Sequence, residues 1–490
     1  MKSNSVNSAK GQTQSALTIP FISSHSESSA VAIKDDNACL TYRELTHLVA
    51  HQASLWQKNI VSNEAVFLTA RGASARPIVM LFIDNTIQSV IDYLAALSLN
   101  FVVLLLNPKC SAKTKAQYKK MLRPNAEIRQ GVLSLFHSEP INVDPRLCLL
   151  LSTSGSTGAS KCVALSLRNI TANCNSILSY LPILSDDKTL LTLPLSYSYG
   201  LSVLHSHLKA GATVCFTSYS PFDKAFWHVI KQQGINSLSG VPSFYEMLSR
   251  LRFTTMRLPE LRYFTQAGGK LAESYVKQFA NYAHESGKAF YVMYGQTEAT
   301  ARMAYLSPEK VLFKPQSIGQ AIAGGEFKLV GGGATEGKGE LYYRGENVML
   351  GYVSEVSDLN HLTQEEWLAT GDLAQVDDDG DYTITGRIKR MIKIAGERAS
   401  LDLAEQSLAE ITAQQALDLT TCVIGKDDKL VAVFAGELTS AQYDLIVDSL
   451  STSLAIPKRN IALHKVTAIP LLGNGKVDYA KLSGQILGEN

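Results

Sequence analysis

Three short stretches of this sequence carry residue types that could do chemistry on a nucleotide. The first is Ser152-Thr153-Ser154-Gly155-Ser156-Thr157-Gly158-Ala159-Ser160-Lys161, between an apolar run and a helical one. Such a loop offers backbone N–H groups, hydroxyls and one cation to a polyphosphate. It is not the GxxxxGK[ST] loop of ordinary P-loop ATPases, because Ser160 and Cys162 stand at the glycine and hydroxyl positions. A flexible Ser/Gly linker is the plain alternative. The second stretch is Tyr291-Val292-Met293-Tyr294-Gly295-Gln296-Thr297-Glu298-Ala299-Thr300. An aromatic could stack on a base there, Thr297 could bind phosphate, and Glu298 could hold Mg²⁺ through oxygen; alone it reads equally as a strand end with a polar turn. The third, Thr370-Gly371-Asp372, puts a carboxylate after a tight turn, a way to accept both hydroxyls of a ribose. Taken singly, Asp372 is as well explained as a turn or cap residue.

Those residues need elements to hold them. From residue 66 the sequence alternates apolar runs with helical stretches: 78–83 as a strand, 89–97 as a helix, 101–106 as a strand. That rhythm is βαβ, a largely parallel sheet covered by helices. It recurs at 147–151 (strand), 168–180 (helix) and 189–193 (strand), which predicts a second α/β layer. Beyond residue 317 the texture changes to short strands at 326–330, 339–343 and 381–385 with glycine turns, predicting a small β-barrel or antiparallel sheet. After Gly386 a charged segment leads into a helix at 402–413 and strands at 421–424 and 430–434, enough for a small α/β domain. The expected division is a disordered tail at 1–15, an N-terminal domain at 16–386 and a mobile C-terminal domain at 387–490.

Composition narrows the partners. A chain of 490 residues with a formal net charge of +2 has no sustained basic field, which argues against nucleic acid. The seven cysteines include no CxxC pair and their odd number speaks against a disulfide framework, so a reducing cytoplasm is the expectation. Apolar runs such as 101–106 are too short to span a bilayer, and no membrane insertion is expected.

Taken together and in order, the three stretches, Gly386-Arg387-Ile388-Lys389 and Gly473-Asn474-Gly475-Lys476 resemble the signature series of the adenylate-forming superfamily. That superfamily groups acyl-CoA synthetases, nonribosomal peptide adenylation domains and firefly-type luciferases; the resemblance runs from about residue 41 to 482. It implies an α/β fold of two βαβ-type sheet subdomains plus a small β-barrel, with a small mobile α+β domain behind. It also implies ATP with Mg²⁺, and CoA or a phosphopantetheinyl carrier protein as acceptor. Carried over by position, Thr153, Ser154, Gly155, Ser156, Thr157, Gly158 and Lys161 handle the β and γ phosphates. Ala267, Gly268, Gly269 and Tyr294, with Gly295 and Gln296 beside it, frame the adenine. Asp372 and Arg387 hold the ribose, Thr297 and Glu298 serve the α-phosphate and Mg²⁺, and Lys476 matches the family's catalytic lysine. A carboxylate attacking a phosphate brings two anions together, and an ammonium between them stabilises the charge where it builds. Lys389 matches the pivot about which the C-terminal domain turns between adenylation and thiol transfer, and residues 393–396 would then line the pantetheine path. A solvated linker lysine at 389 and a charge beside a strand at 393 are the plain alternatives.

The sequence departs from the family in two places. The loop ends Ser160-Lys161-Cys162 where Pro-Lys-Gly is usual, and residues 401–410 lack the usual hydrophobic-acidic pattern after Gly-Glu-Arg. Cys162 has no histidine nearby in sequence, so a small side chain behind a loop describes it better than a nucleophile.

Pro194-Leu195-Ser196-Tyr197-Ser198-Tyr199-Gly200-Leu201 occupies the place of the acyl gate, where amino-acid-activating members usually have an Asp. There is no carboxylate in it, and Asp223 reads as a helix N-cap. An uncharged fatty or aryl tail is therefore expected over an amino acid, with Tyr197, Tyr199, Ser239, Gly240 and Gln266 as candidate pocket residues or, equally, ordinary core and turn residues. No carrier segment follows residue 482, so an external thiol is expected, free CoA or a separate acyl carrier protein. Gly324-Gly325 and Gly331-Gly332-Gly333 do not form a Rossmann fingerprint, which sets aside a dinucleotide oxidoreductase. A stand-alone amino-acid adenylating enzyme, a light-emitting oxidase and a catalytically silent nucleotide-binding relative remain as competing readings.

Overall fold

The computed structural model describes residues 19–62, 75–139, 141–152, 161–331, 337–394, 397–473 and 475–488. The expected tail, loop residues Thr153, Ser154, Gly155, Ser156, Thr157 and Gly158, and Gly332, Gly333, Ala395, Gly396 and Asn474 lie outside them.

Ile78–Phe82, Val102–Leu106 and Leu147–Ser152 are aliphatic almost throughout and buried on both faces, as the central strands of a covered parallel sheet must be. They pair in parallel in a seven-stranded sheet whose margins are antiparallel. A nine-stranded sheet carries Ser237–Gly240, Tyr263–Gln266 and Ala289–Tyr294 side by side in parallel register. The largest hydrophobic core takes residues from both sheets and the helices over them. The helix Ile87–Ser98 buries one broad apolar face there, and starts where the Thr86 hydroxyl accepts the Ser89 N–H.

The segment expected as a barrel or antiparallel sheet is a four-stranded antiparallel sheet of Gly325–Val330, Lys338–Gly345, Leu368–Val376 and Tyr382–Arg387. From Met391 on, a hairpin, a three-stranded sheet and the helices Leu401–Gln414, Ser440–Leu454 and Tyr479–Leu487 gather around two small cores of their own. Two local expectations change. The strand expected over 189–193 is Lys188–Leu190, since Pro194 and the turn after it end the pairing. The segment after the Ser/Gly loop is the strand Cys162–Ser166, antiparallel to Leu147–Ser152, and the helix Leu167–Tyr180 begins only after it. The loop therefore joins two strands and does not sit on a helix N-terminus; the first turn of that helix is occupied by its own Ser166–Asn169 capping box.

Candidate active site

The ribose candidates are fixed by strand register. Asp372 on Leu368–Val376 lies directly opposite Arg387 on Tyr382–Arg387, and Arg387 Nε stands 3.4 Å from the Asp372 carboxylate. The Tyr294 hydroxyl, at the end of Ala289–Tyr294, donates to the same carboxylate at 2.5 Å. Burial raises the Asp372 pKa and is opposed by the Arg387 cation and the Tyr294 hydrogen bond. Gly295 follows because nothing larger fits: a Cβ there would stand 1.8 Å from the Ala301 carbonyl oxygen. That close approach folds the chain into the short turn Thr297–Ala299 and aims Thr297 and Glu298 back across the site.

Thr297 Oγ1 lies 3.2 Å from Ser198 Oγ at the start of the helix Ser198–Ala210. The Glu298 carboxylate accepts the Tyr352 hydroxyl at 2.8 Å, and the Lys161 ammonium lies 3.3 Å from the centre of the Tyr352 ring. Burial lowers the Lys161 pKa, with Glu298 working against it. Among the described residues the buried Nε2 of Gln296 has no acceptor, an orphan donor beside this constellation. Polar ligands fit such a place: phosphate or base acceptors would satisfy the amide, and the Glu298 oxygens suit a hard cation such as Mg²⁺.

Lys476 comes to the same groups from the C-terminal end of the chain. Its loop closes through the Leu472 N–H to the Lys476 carbonyl, at 2.7 Å, and the Ser243 hydroxyl donates to the Gly475 carbonyl at 3.2 Å. Gly475 has a φ of +80° with Val241 and Ser243 against it, which a side chain would not tolerate. The Lys476 ammonium lies 5.6 Å from the centre of the Tyr197 ring. Burial, then the Arg387 cation, push its pKa down to about 8, while Glu298 and Asp372 pull the other way. Lys476, Arg387, Asp372 and Glu298 thus share one electrostatic field.

Gly268 packs against Tyr197, whose hydroxyl would stand 2.7 Å from a Cβ there, and Gly268 has a φ of +87°. Ala267 is buried, and the Gln266 amide donates to the Gly269 carbonyl at 2.8 Å. Of the pocket candidates, Tyr197 is half-buried beside Lys476. Tyr199 is deep, its hydroxyl 2.8 Å from Thr265 Oγ1; Ser239 accepts from that same Thr265 hydroxyl, and Gly240 lies under the Phe244 ring. Asp223 does sit at the N-cap of Lys224–Gln233, but its carboxylate bonds back to the Ser220 N–H and no side-chain cap forms. Cys162 is buried and its thiol is pushed up to about 12, the state of an inert core residue.

Sequence reasoning missed Tyr352, Ser198 and Ser243. Tyr352 enters only because Gly351–Val353 adds to the edge of Cys162–Ser166, a long-range pairing with no local signal. The helix that starts just beyond Lys476 is tied to the turn Ile388–Arg390 as well. Arg390 lies 2.5 Å from Asp402, 3.0 Å from Glu405 and 3.9 Å over the Tyr479 ring, and the Tyr479 hydroxyl donates to Glu405 at 2.7 Å. Lys389 is exposed in the short turn Ile388–Arg390.

Comparison with known proteins identifies the family. The profile of the AMP-binding enzyme family matches residues 23–353. Feruloyl-CoA synthase of an Amycolatopsis species is 28% identical over 352 residues, 69% of this chain and 69% of that protein. Indoleacetate–CoA ligase of Aromatoleum aromaticum is 31% identical over 262 residues, 52% of this chain and 50% of that one. Among solved structures, o-succinylbenzoate CoA synthetase from Bacillus subtilis, in complex with its acyl-adenylate, superposes with a TM-score of 0.76 at 21% identity, covering 95% of this chain and 98% of that one. The chain belongs to the AMP-binding enzyme family, as an ATP-dependent, acid-activating ligase.

Proposed function

We propose that this protein joins a carboxylic acid to ATP as the acyl-adenylate, releasing pyrophosphate, and then passes the acyl group to the thiol of CoA. The observation that carries this reading is the meeting of Lys476 with Asp372, Arg387 and Glu298, groups from separately cored parts of the chain, in one field. In the reading, Asp372 and Arg387 take the ribose, Tyr294 and the glycine turn at 267–269 flank the adenine, and Gln296 fills its missing hydrogen bond on the nucleotide. Thr297 donates to the α-phosphate. Glu298 would hold Mg²⁺, which supplies charge neutralisation between phosphates when bound. Lys476 bridges the incoming carboxylate and the α-phosphate, placing its ammonium where negative charge accumulates. Residues 153–161, most of them outside the described residues, take the outer phosphates.

The thiol step needs the amine to withdraw, and we assign the boundary at 386/387 and a pivot at Lys389 to that motion. The names of the relatives favour CoA as acceptor; a separate acyl carrier protein is the second possibility. An acyl or aryl acid is favoured over an amino acid because the segment from Pro194 to Leu201 offers no anion to an α-amine. The test is acid-dependent exchange of pyrophosphate into ATP across fatty, aryl and amino acids, followed by thioester analysis with CoA or with a loaded carrier protein. Exchange with an acyl or aryl acid and a CoA thioester are expected. Exchange confined to amino acids would overturn the substrate reading, and ATP binding without any exchange would overturn the catalytic one.

A further inference from the structure

Arg302 is among the largest of the almost wholly buried side chains, at 2% exposure. Its backbone is anchored, for the Arg302 carbonyl accepts Asn173 Nδ2 at 2.8 Å and Asn347 Nδ2 at 2.9 Å. The guanidinium has unusual company. Nε donates to the Met293 thioether at 3.3 Å, a weak acceptor that also receives the Tyr180 hydroxyl at 3.1 Å, and the head group lies 4.0 Å from the centre of the Tyr199 ring. Among the described residues no carboxylate comes within ion-pair distance of it; the arginines at 262, 344, 387 and 390 all have one. A buried cation left with a thioether and phenol rings is poorly compensated for its lost hydration, and a guanidinium is built to take a planar anion in two parallel hydrogen bonds.

Its place in the fold gives that anion a source. The Lys476 ammonium stands 5.6 Å from the Tyr197 ring, that ring is 6.3 Å from the Tyr199 ring, and the Arg302 guanidinium lies 4.0 Å beyond. The two tyrosines therefore lie between the amine that would meet the reacting carboxylate and a second, buried cation. Resting on the acid-activating reading above, we propose that Arg302 is a specificity-determining residue that receives a second carboxylate at the far end of the substrate, so that the preferred acid is a dicarboxylic one with an aryl or short acyl spacer. The reacting carboxylate points to Lys476, the tyrosine rings flank the spacer, and the distal carboxylate pairs with the guanidinium. Residues 194–201 offer no acidic group to a cationic tail and are compatible with an anionic one.

The experiment uses matched probes: benzoate against phthalate and terephthalate, and hexanoate against adipate, in ATP–pyrophosphate exchange with the wild-type chain, Arg302→Met and Arg302→Lys. The wild type is expected to favour at least one diacid over its monoacid by roughly 10²-fold or more in kcat/KM. Arg302→Met is expected to erase that preference through the diacid alone, leaving the monoacid within a few-fold, and Arg302→Lys to keep part of it. A wild type that favours the monoacids overturns the proposal, even if both variants fail to fold. Equal loss on both acids in folded Arg302→Met, verified by thermal melting, also overturns it and assigns Arg302 to packing. If no acid supports exchange, the acid-activating reading fails separately. Calorimetric binding of the diacids then decides: affinity lost in Arg302→Met upholds the anion site, and no binding to the wild type overturns it.

Discussion

Lys476 is an ammonium whose pKa burial and the Arg387 cation bring down to about 8. A lysine with a lowered pKa is charged below that value and loses its proton as the pH rises through it. If the charged form assists adenylation, kcat/KM for ATP in the exchange reaction is flat below about pH 8 and falls above it. The limb should vanish in Lys476→Arg, whose guanidinium stays charged. Lys476→Ala should lower adenylation by about 10²–10³-fold while transfer from a preformed acyl-adenylate survives, which single-turnover assays of the two half-reactions would separate. Asp372 makes a different kind of contribution. It is held between Arg387 and Tyr294 and would touch the ribose in ground and transition state alike. Asp372→Asn should therefore raise the KM for ATP about tenfold or more with a smaller change in kcat, as steady-state kinetics would show.

Local backbone shape decides whether these side chains arrive. With a Cβ 1.8 Å from the Ala301 carbonyl oxygen, Gly295→Ala forces the turn holding Thr297 and Glu298 apart from the strand before it. A loss of about 1–3 kcal/mol in unfolding free energy is expected, measured by chemical denaturation, with ATP affinity falling alongside. The same scale shows what could be read from the sequence. Ile78–Phe82, Val102–Leu106 and Leu147–Ser152 were legible because apolar runs of that length, between turn residues, have few other solutions. Tyr294, Asp372 and Arg387 were legible through motif order alone, since a strand end and a tight turn are common features taken singly. Cys162–Ser166 was not, because five residues between a Ser/Gly loop and a helix give no strand signal of their own until the antiparallel partner is known. Tyr352 and Arg302 were hidden for a related reason: their importance comes from neighbours far off in sequence, Lys161 and Glu298 for one, Tyr199 for the other. Reading the gate from the absence of an acid at 194–201 was silent about a cation coming from a distant part of the chain.

At the scale of the whole molecule, the chain after Met391 has its own cores and yet supplies the amine. A proline at Lys389 tests the assigned pivot, because it fixes φ near −65°, a value the short helical turn Ile388–Arg390 accepts, while restricting rotation away from it. Lys389→Pro should leave pyrophosphate exchange within a few-fold and slow thioester formation at least about tenfold; equal slowing of both steps would remove the pivot from Lys389. The Arg390–Glu405–Tyr479 network has a broader consequence. It fastens the start of the helix Tyr479–Leu487, just beyond Lys476, to the turn Ile388–Arg390, so that turn, assigned above as the pivot, would also serve as a short tether. A tether of a few residues holds its cargo at an effective concentration in the millimolar range. The amine is then supplied to every turnover by the chain itself, and its occupancy of the site becomes independent of how dilute the protein is.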